Sequence, residues 1–174
     1  QRAVPPADLC AEIARQRGVI AGPTLVANIK SLVVDRTGDT RWRAVVPPEW
    51  IDYNGHLTEG FYGVAFGHAT DAILSTLGFG SDYLTTNGTF YTVETRIRYL
   101  REVREGAEIY TDSLVLGADA KRLHVHHDLF ADDESDPVAT QECMLLHVVQ
   151  GPSGPMVAPM VEPVASAALA AAAG

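Results

Sequence analysis

The sequence predicts an α+β domain in which one antiparallel β-sheet wraps a single long central helix. Three observations carry that prediction. Apolar residues recur at three and four between Leu57 and Leu77, four later stretches alternate with period two, and the connections between those stretches are too short for parallel crossovers. The length of 174 residues, 47% of them hydrophobic and 20% charged, suits one globular domain of about 100–200 residues.

The elements follow in chain order. Residues 1–40 are mixed: Asp8 is placed to cap a short helix, Gly22-Pro23 breaks it, and Arg36-Thr37-Gly38-Asp39 reads as a turn, so this stretch is expected to be an extension or linker. The informative domain is expected over residues 41–150. Arg41 to Val46 is strand-like and Pro47-Pro48 ends it, because proline cannot donate to a ladder. In the helix, Leu57, Phe61, Val64, Ala65, Ala69, Ala72, Ile73 and Leu77 give one broad apolar face. Thr58 suits its start, Glu59 the positive end of its dipole, and Gly78 its stop. Gly60, Gly63 and Gly67 interrupt it, each costing about 1 kcal/mol relative to Ala, so close packing is expected to stabilise the helix, with a sheet curled tightly around it.

Phe90–Leu100, Glu108–Leu116, Lys121–Phe130 and Val138–Val149 read as four strands. Strict alternation puts Tyr91, Val93, Ile97 and Tyr99 on one face of the first, and Thr92, Glu94, Arg96 and Arg98 on the other. Residues 151–174, rich in Pro, Gly and Ala, read as a frayed or loosely packed tail.

Several function classes are disfavoured at once. Thirteen basic against 22 acidic residues leave a net charge of −9, unlike the basic footprint of a general nucleic-acid binder. No apolar run approaches the ~20 residues of a membrane span, and the opening residues lack a secretory signal, so a cytoplasmic, membrane-free protein is expected. Cys10 and Cys143 are too few for a disulfide framework or a cysteine-based metal site. His124-Val125-His126-His127 tempts a metal reading, but alternation splits the histidines between faces and no carboxylate is evident nearby, so no metal is expected.

The loop Asp52-Tyr53-Asn54-Gly55-His56, set just before the helix within this order of elements, resembles the hotdog-fold acyl-CoA thioesterases, nearest the 4-hydroxybenzoyl-CoA thioesterase-like branch. The strings Pro48–His56, Val93–Leu100 and Asp119–His124 look like the thioesterases associated with carnitine degradation. Those hydrolyse betainyl-CoA, sometimes as a domain fused to carnitine dehydrogenase. The resemblance implies a hotdog fold, an acyl-CoA substrate, no cofactor, and a homodimer or larger homo-oligomer with sites between subunits.

By that resemblance, Asp52 is the carboxylate that attacks the thioester carbonyl or activates water, two routes the sequence leaves open; read alone, it is an ordinary turn aspartate. The first helical turn exposes backbone N–H groups, and the carbonyl-polarising amide maps to Glu59. Gly55 supplies a special backbone conformation, Asn54 fixes the loop, and His56 is either a loop orienter or a participant.

A betainyl cation calls for aromatic faces and a carboxylate, which nominates Trp50, Tyr53 and Tyr62. Glu94 either faces the acyl pocket or pairs with an arginine across the sheet. Arg98, Arg101, Arg104, Lys121 and Arg122 are candidates for the CoA phosphates. Other readings are a different short-chain or aromatic acyl-CoA, a hotdog hydratase, whose motifs are not found, and a non-enzymatic acyl-CoA-binding domain.

Overall fold

A computed structural model describes residues 41–173. The elements are β1 (Arg43–Val45), a 3-10 turn (Pro48–Trp50), α1 (Glu59–Thr76), α2 (Ser81–Thr86), β2 (Thr89–Tyr99), β3 (Glu108–Ala118), β4 (Arg122–Ala131), β5 (Ala139–Gly151), β6 (Gly154–Val157) and α3 (Val164–Ala173). The strands form one antiparallel sheet in the order β1-β3-β4-β5-β2, with β6 also paired to β5. The helix Asp8 was expected to cap and the turn at 36–39 lie outside the described residues.

Helix α1 lies against the inward face of the sheet through Tyr62, Ala65, Phe66, Ala69, Ile73 and Leu74. This stripe is rotated from the expected one: Val64 is exposed, while Tyr62 and Phe66 are buried. Thr58 holds the N-cap position, but its hydroxyl makes no capping bond. Gly78, at φ +91°, ends the helix in the left-handed region. A Cβ placed on Gly60, Gly63 or Gly67 would meet nothing within 4 Å. The sheet packs on α1 as expected, but through the side opposite these glycines, so they are not the close contact.

Four further differences have local causes. The first strand is shorter than residues 41–46, because only Arg43–Val45 pairs with β3. In β2 the register slips between Thr92 and Glu94. Phe90 and Thr92 thus align with His147 and Leu145, whereas Thr95 and Ile97 align with Cys143 and Gln141. All of these partners lie on the inward face, so Tyr91 does not share a face with Ile97, as strict alternation required.

The stretch between Gly80 and Thr89, to which the sequence assigned no element, holds α2, whose Tyr83 is buried. The segment after 151, finally, is no frayed tail. It adds β6 and α3, and Met160, Val164 and Ala168 are buried in a cluster with Leu74, Leu123, Val125, Cys143 and Leu145. Ala168 is small enough to let α3 lie close to the sheet, which an overall composition reading misses.

Inward positions along the central strands read apolar, polar, apolar. On β4 they are Leu129, His127 and Val125; on β5, Ala139, Gln141 and Cys143. A transverse polar layer thus separates two apolar clusters, one under each half of α1. At its centre His127 is fully buried. Its Nδ1 lies 2.7 Å from Ser113 Oγ and its Nε2 3.1 Å from Thr70 Oγ1. Because the Thr70 hydroxyl donates to Phe66 O, Thr70 accepts from Nε2–H and Ser113 donates to Nδ1, which fixes a neutral tautomer.

Burial, with a smaller push from His126, lowers the His127 pKa from 6.5 to about 4. The depressed value sets the sign of a pH effect. The contribution is complete above pH 6.5 and is lost as pH falls toward 4, when the folded state must bury a charge. Chemical denaturation at pH 7.5, 6 and 4.5 should show stability falling by up to about 3 kcal/mol, and His127→Gln should flatten that slope.

Candidate active site

The loop before α1 is closed by its own backbone. Ile51 and Leu57 form an isolated antiparallel bridge, Asp52 N–H donates to His56 O at 2.9 Å, and Gly55 N–H donates to Asp52 O at 3.0 Å. This tight return needs a left-handed residue, and Gly55 supplies it at φ +82°. Outside contacts then fix the loop: Leu57 N–H donates to Val103 O at 2.7 Å, and Thr58 N–H to Trp50 O at 2.9 Å.

The Asp52 carboxylate folds over this loop. Its Oδ1 accepts Asn54 N–H at 2.8 Å and His56 N–H at 3.3 Å, and its Oδ2 accepts Asn54 Nδ2 at 3.3 Å. Partial desolvation raises its pKa, but the N–H groups of His56 and Asn54, the Asn54 amide and the His56 ring outweigh that and hold it below 3.8. His56 turns toward Glu102, with Nε2 to Oε2 at 3.0 Å, which suits a loop orienter. Glu102 had no sequence signal, since the pair is made across the fold.

Next to the loop, α1 begins. Phe61 N–H already reaches Thr58 O, whereas the N–H groups of Glu59 and Gly60 have no backbone acceptor among the described residues. They form a donor pair at the positive end of an 18-residue helix. Trp50 stacks on Phe61, with centroids 5.0 Å apart and planes at 11°, and walls this corner. Tyr53, 97% exposed, projects from the loop into solvent.

The other nominated residues are placed differently. Tyr62 is buried, its hydroxyl donates to Arg101 O at 3.2 Å, and burial lifts its pKa to about 12. It serves the core, and substrate binding is withdrawn for it. Glu94 pairs in register with Met144, after the bulge, on the sheet's outward face away from α1; it is not in an acyl pocket of its own chain and has no ion pair among the described residues.

Arg101 is bound to Glu134 and to Asp136 O, and Arg122 to Asp119, whose pKa the arginine lowers. Arg98 aligns with Thr140 and Arg122 with Leu146, six residues apart on β5, or roughly 20 Å. Arg98 and Arg101 therefore do not converge with Lys121 and Arg122 on one phosphate group within a protomer. On the outward face, His124 pairs with Glu142 at 2.6 Å and His126 with Asp128 at 2.9 Å, so carboxylates do lie beside them, contrary to the sequence reading.

Residues 46–169 match the model of the thioesterase-like superfamily. The chain belongs to that superfamily. Among relatives of this thioesterase-like chain, a betainyl-CoA thioesterase from Pseudomonas aeruginosa is 42% identical over 65% of this chain and 72% of its own length. A carnitine dehydrogenase/betainyl-CoA thioesterase from Agrobacterium fabrum is 48% identical over 57% of this chain, and the match spans 20% of that longer protein.

A solved Pseudomonas putida protein described as a candidate thioesterase is 35% identical, with a TM-score of 0.66 over 76% of this chain and 83% of its own. A Staphylococcus aureus protein solved with CoA, at 23% identity, shares the fold with a TM-score of 0.62 over 69% of this chain and 76% of its own. The hotdog architecture is thus the fold of the chain. No helix among the described residues is long and apolar enough to cross a membrane.

The lowered Asp52 pKa places the acid limb of a rate profile. If the ionised carboxylate is required, activity after brief pH jumps should hold until pH falls below 3.8, whereas an acid limb well above that range would remove Asp52 from the step.

Proposed function

We propose that the chain hydrolyses betainyl-CoA to betaine and free CoA. The observation that carries this reading is the ionised Asp52 carboxylate in the loop that leads directly into α1, whose opening N–H groups at Glu59 and Gly60 lack a backbone acceptor among the described residues. The betainyl-CoA thioesterases at 42% and 48% identity support the choice of acyl group. The amides donate to the carbonyl oxygen, where a donor of this kind is worth about 2.7–4 kcal/mol as negative charge develops.

The attacking group in this proposal is the carboxylate itself, which its loop donors hold ionised. An Asp52 oxygen bonds to the acyl carbon, the carbon–sulfur bond breaks, and CoA leaves as a thiolate that takes a proton from water. Water then cleaves the mixed anhydride, releasing the acid and restoring Asp52. These steps use a carboxylate, amides and water, so no cofactor is invoked. The substrate class also points to the cytoplasm, where CoA esters are handled.

A homodimer completes the proposal. Among the described residues, β2 is an 11-residue edge strand paired only to β5, and it exposes Tyr91, Val93 and Tyr99. A long unpaired edge with these exposed apolar side chains is a surface that a second copy can cover. Sedimentation should give about twice 18.7 kDa, and a monomer that is fully active would remove this part of the proposal.

Asp52→Asn keeps an oxygen for the loop N–H groups while losing the charge. Turnover of betainyl-CoA, followed by thiol release, should drop by about 10²–10⁴-fold with little change in thermal stability. Release of CoA ahead of the free acid in a single turnover is expected for the covalent route; simultaneous release would favour water activation.

A further inference from the structure

The acyl head proposed above sets an electrostatic problem at the start of α1. Its quaternary nitrogen is one methylene from the carbonyl carbon, so a carbonyl held by the Glu59 and Gly60 N–H groups brings the cation close to them. The opening of an 18-residue helix carries roughly half a positive charge and repels that cation. A negative group must stand at the same turn for this ester to be bound as well as polarised.

Few carboxylates among the described residues qualify. Asp52 loses its charge when it bonds to the acyl carbon, so it cannot serve through both steps. Glu102 is paired with His56. Asp71 lines a groove of about 430 Å³ along the glycine side of α1, whose floor includes Thr92, Thr95 and Gln141. It stands twelve residues beyond Glu59, roughly 18 Å along the helix, out of reach of a carbonyl at the first turn. The Glu59 side chain remains. It is exposed at the first position of α1 and has no ion pair among the described residues.

An aromatic ring lies near it. Tyr99 is 53% exposed and aligns with Ala139 on the inward face of the sheet, so its ring is turned toward α1 and away from the hydrogen-bonding edge of β2. It meets Tyr62, three residues after Glu59, edge to face with centroids 5.2 Å apart and planes at 79°. Partial burial, with a smaller push from the Glu59 carboxylate, raises the Tyr99 pKa, so charge and ring are neighbours. A trimethylammonium donates no hydrogen bond and is held by aromatic faces and nearby negative charge.

We propose that the Glu59 carboxylate and the Tyr99 ring select a cationic acyl group at the start of α1. Glu59 offsets the helix dipole, and Tyr99 gives the N-methyl groups an aromatic face. The inference rests on the functional reading above. With a neutral acyl group, the same carboxylate opposes the oxyanion developing at the neighbouring N–H groups. Glu59 thus attracts the cation and penalises its neutral analogues.

The test compares betainyl-CoA with tert-butylacetyl-CoA, in which carbon replaces the nitrogen at the same shape. Selectivity is the ratio of kcat/KM for the two esters, and dividing a variant's ratio by that of the wild type cancels their intrinsic reactivity. Glu59→Gln keeps the backbone N–H and should cut selectivity about fivefold, whereas Glu59→Asp should keep most of it. Tyr99→Leu should cut it by a similar factor, and Tyr99→Phe should not. Equal losses for both esters, or unaltered selectivity, in folded variants would overturn the assignment. A wild type that cleaves both esters equally well would also overturn it, while leaving thioester hydrolysis standing. One that cleaves neither would defeat the functional reading itself, and this inference with it.

Discussion

The site depends on the closure of a five-residue loop upon its own carboxylate. Asp52 takes N–H groups from Asn54 and His56, and the left-handed Gly55 lets the chain return within reach. These bonds do two things at once. They fix the carboxylate at the entrance of α1, and they keep it ionised by offering donors that only the charged form satisfies fully. The loop is in turn held by Leu57 to Val103 and by Tyr62 to Arg101, both anchored in the apolar cluster under the first half of α1. Packing in the core therefore sets the position of a reactive oxygen at the surface.

The same helix is asymmetric in a useful way. Its apolar side seals two clusters, while its glycine side stays clear beside a free strand edge. A polar groove floor and the edge strand β2 lie on that side. A small-residue helix surface is poor at stabilising a monomer, at about 1 kcal/mol per glycine, but it leaves room for ligand or partner. The polar layer through His127 connects this open side with the middle of the sheet.

Much of the fold was legible in the sequence because its signals are local. The limits of α1 and the four long strands agree with the sequence to within a few residues, since period and turn chemistry act over short spans. The Asp52 loop was legible for the same reason. What was not legible depended on tertiary pairing. The bulge at Val93 swaps the faces of β2 and sends Glu94 outward, and nothing in the alternation announces it. Tyr62 resembled a binding aromatic but packs inside, and Ala168 resembled a tail residue but is buried against the sheet. Arg101 and Arg122 read as free cations until Glu134 and Asp119 came beside them through the hairpin turns.

The claim that Asp52 and the opening amides of α1 address one carbonyl is tested most directly by amide resonances. A non-hydrolysable acyl-CoA ketone, with methylene between carbonyl and sulfur, would be titrated into isotope-labelled protein. The expected result is a downfield shift and slowed exchange at the N–H groups of Glu59 and Gly60, together with a perturbed Asp52 carboxyl carbon. Saturable binding of the ketone that leaves all three unchanged and perturbs another surface would contradict the account.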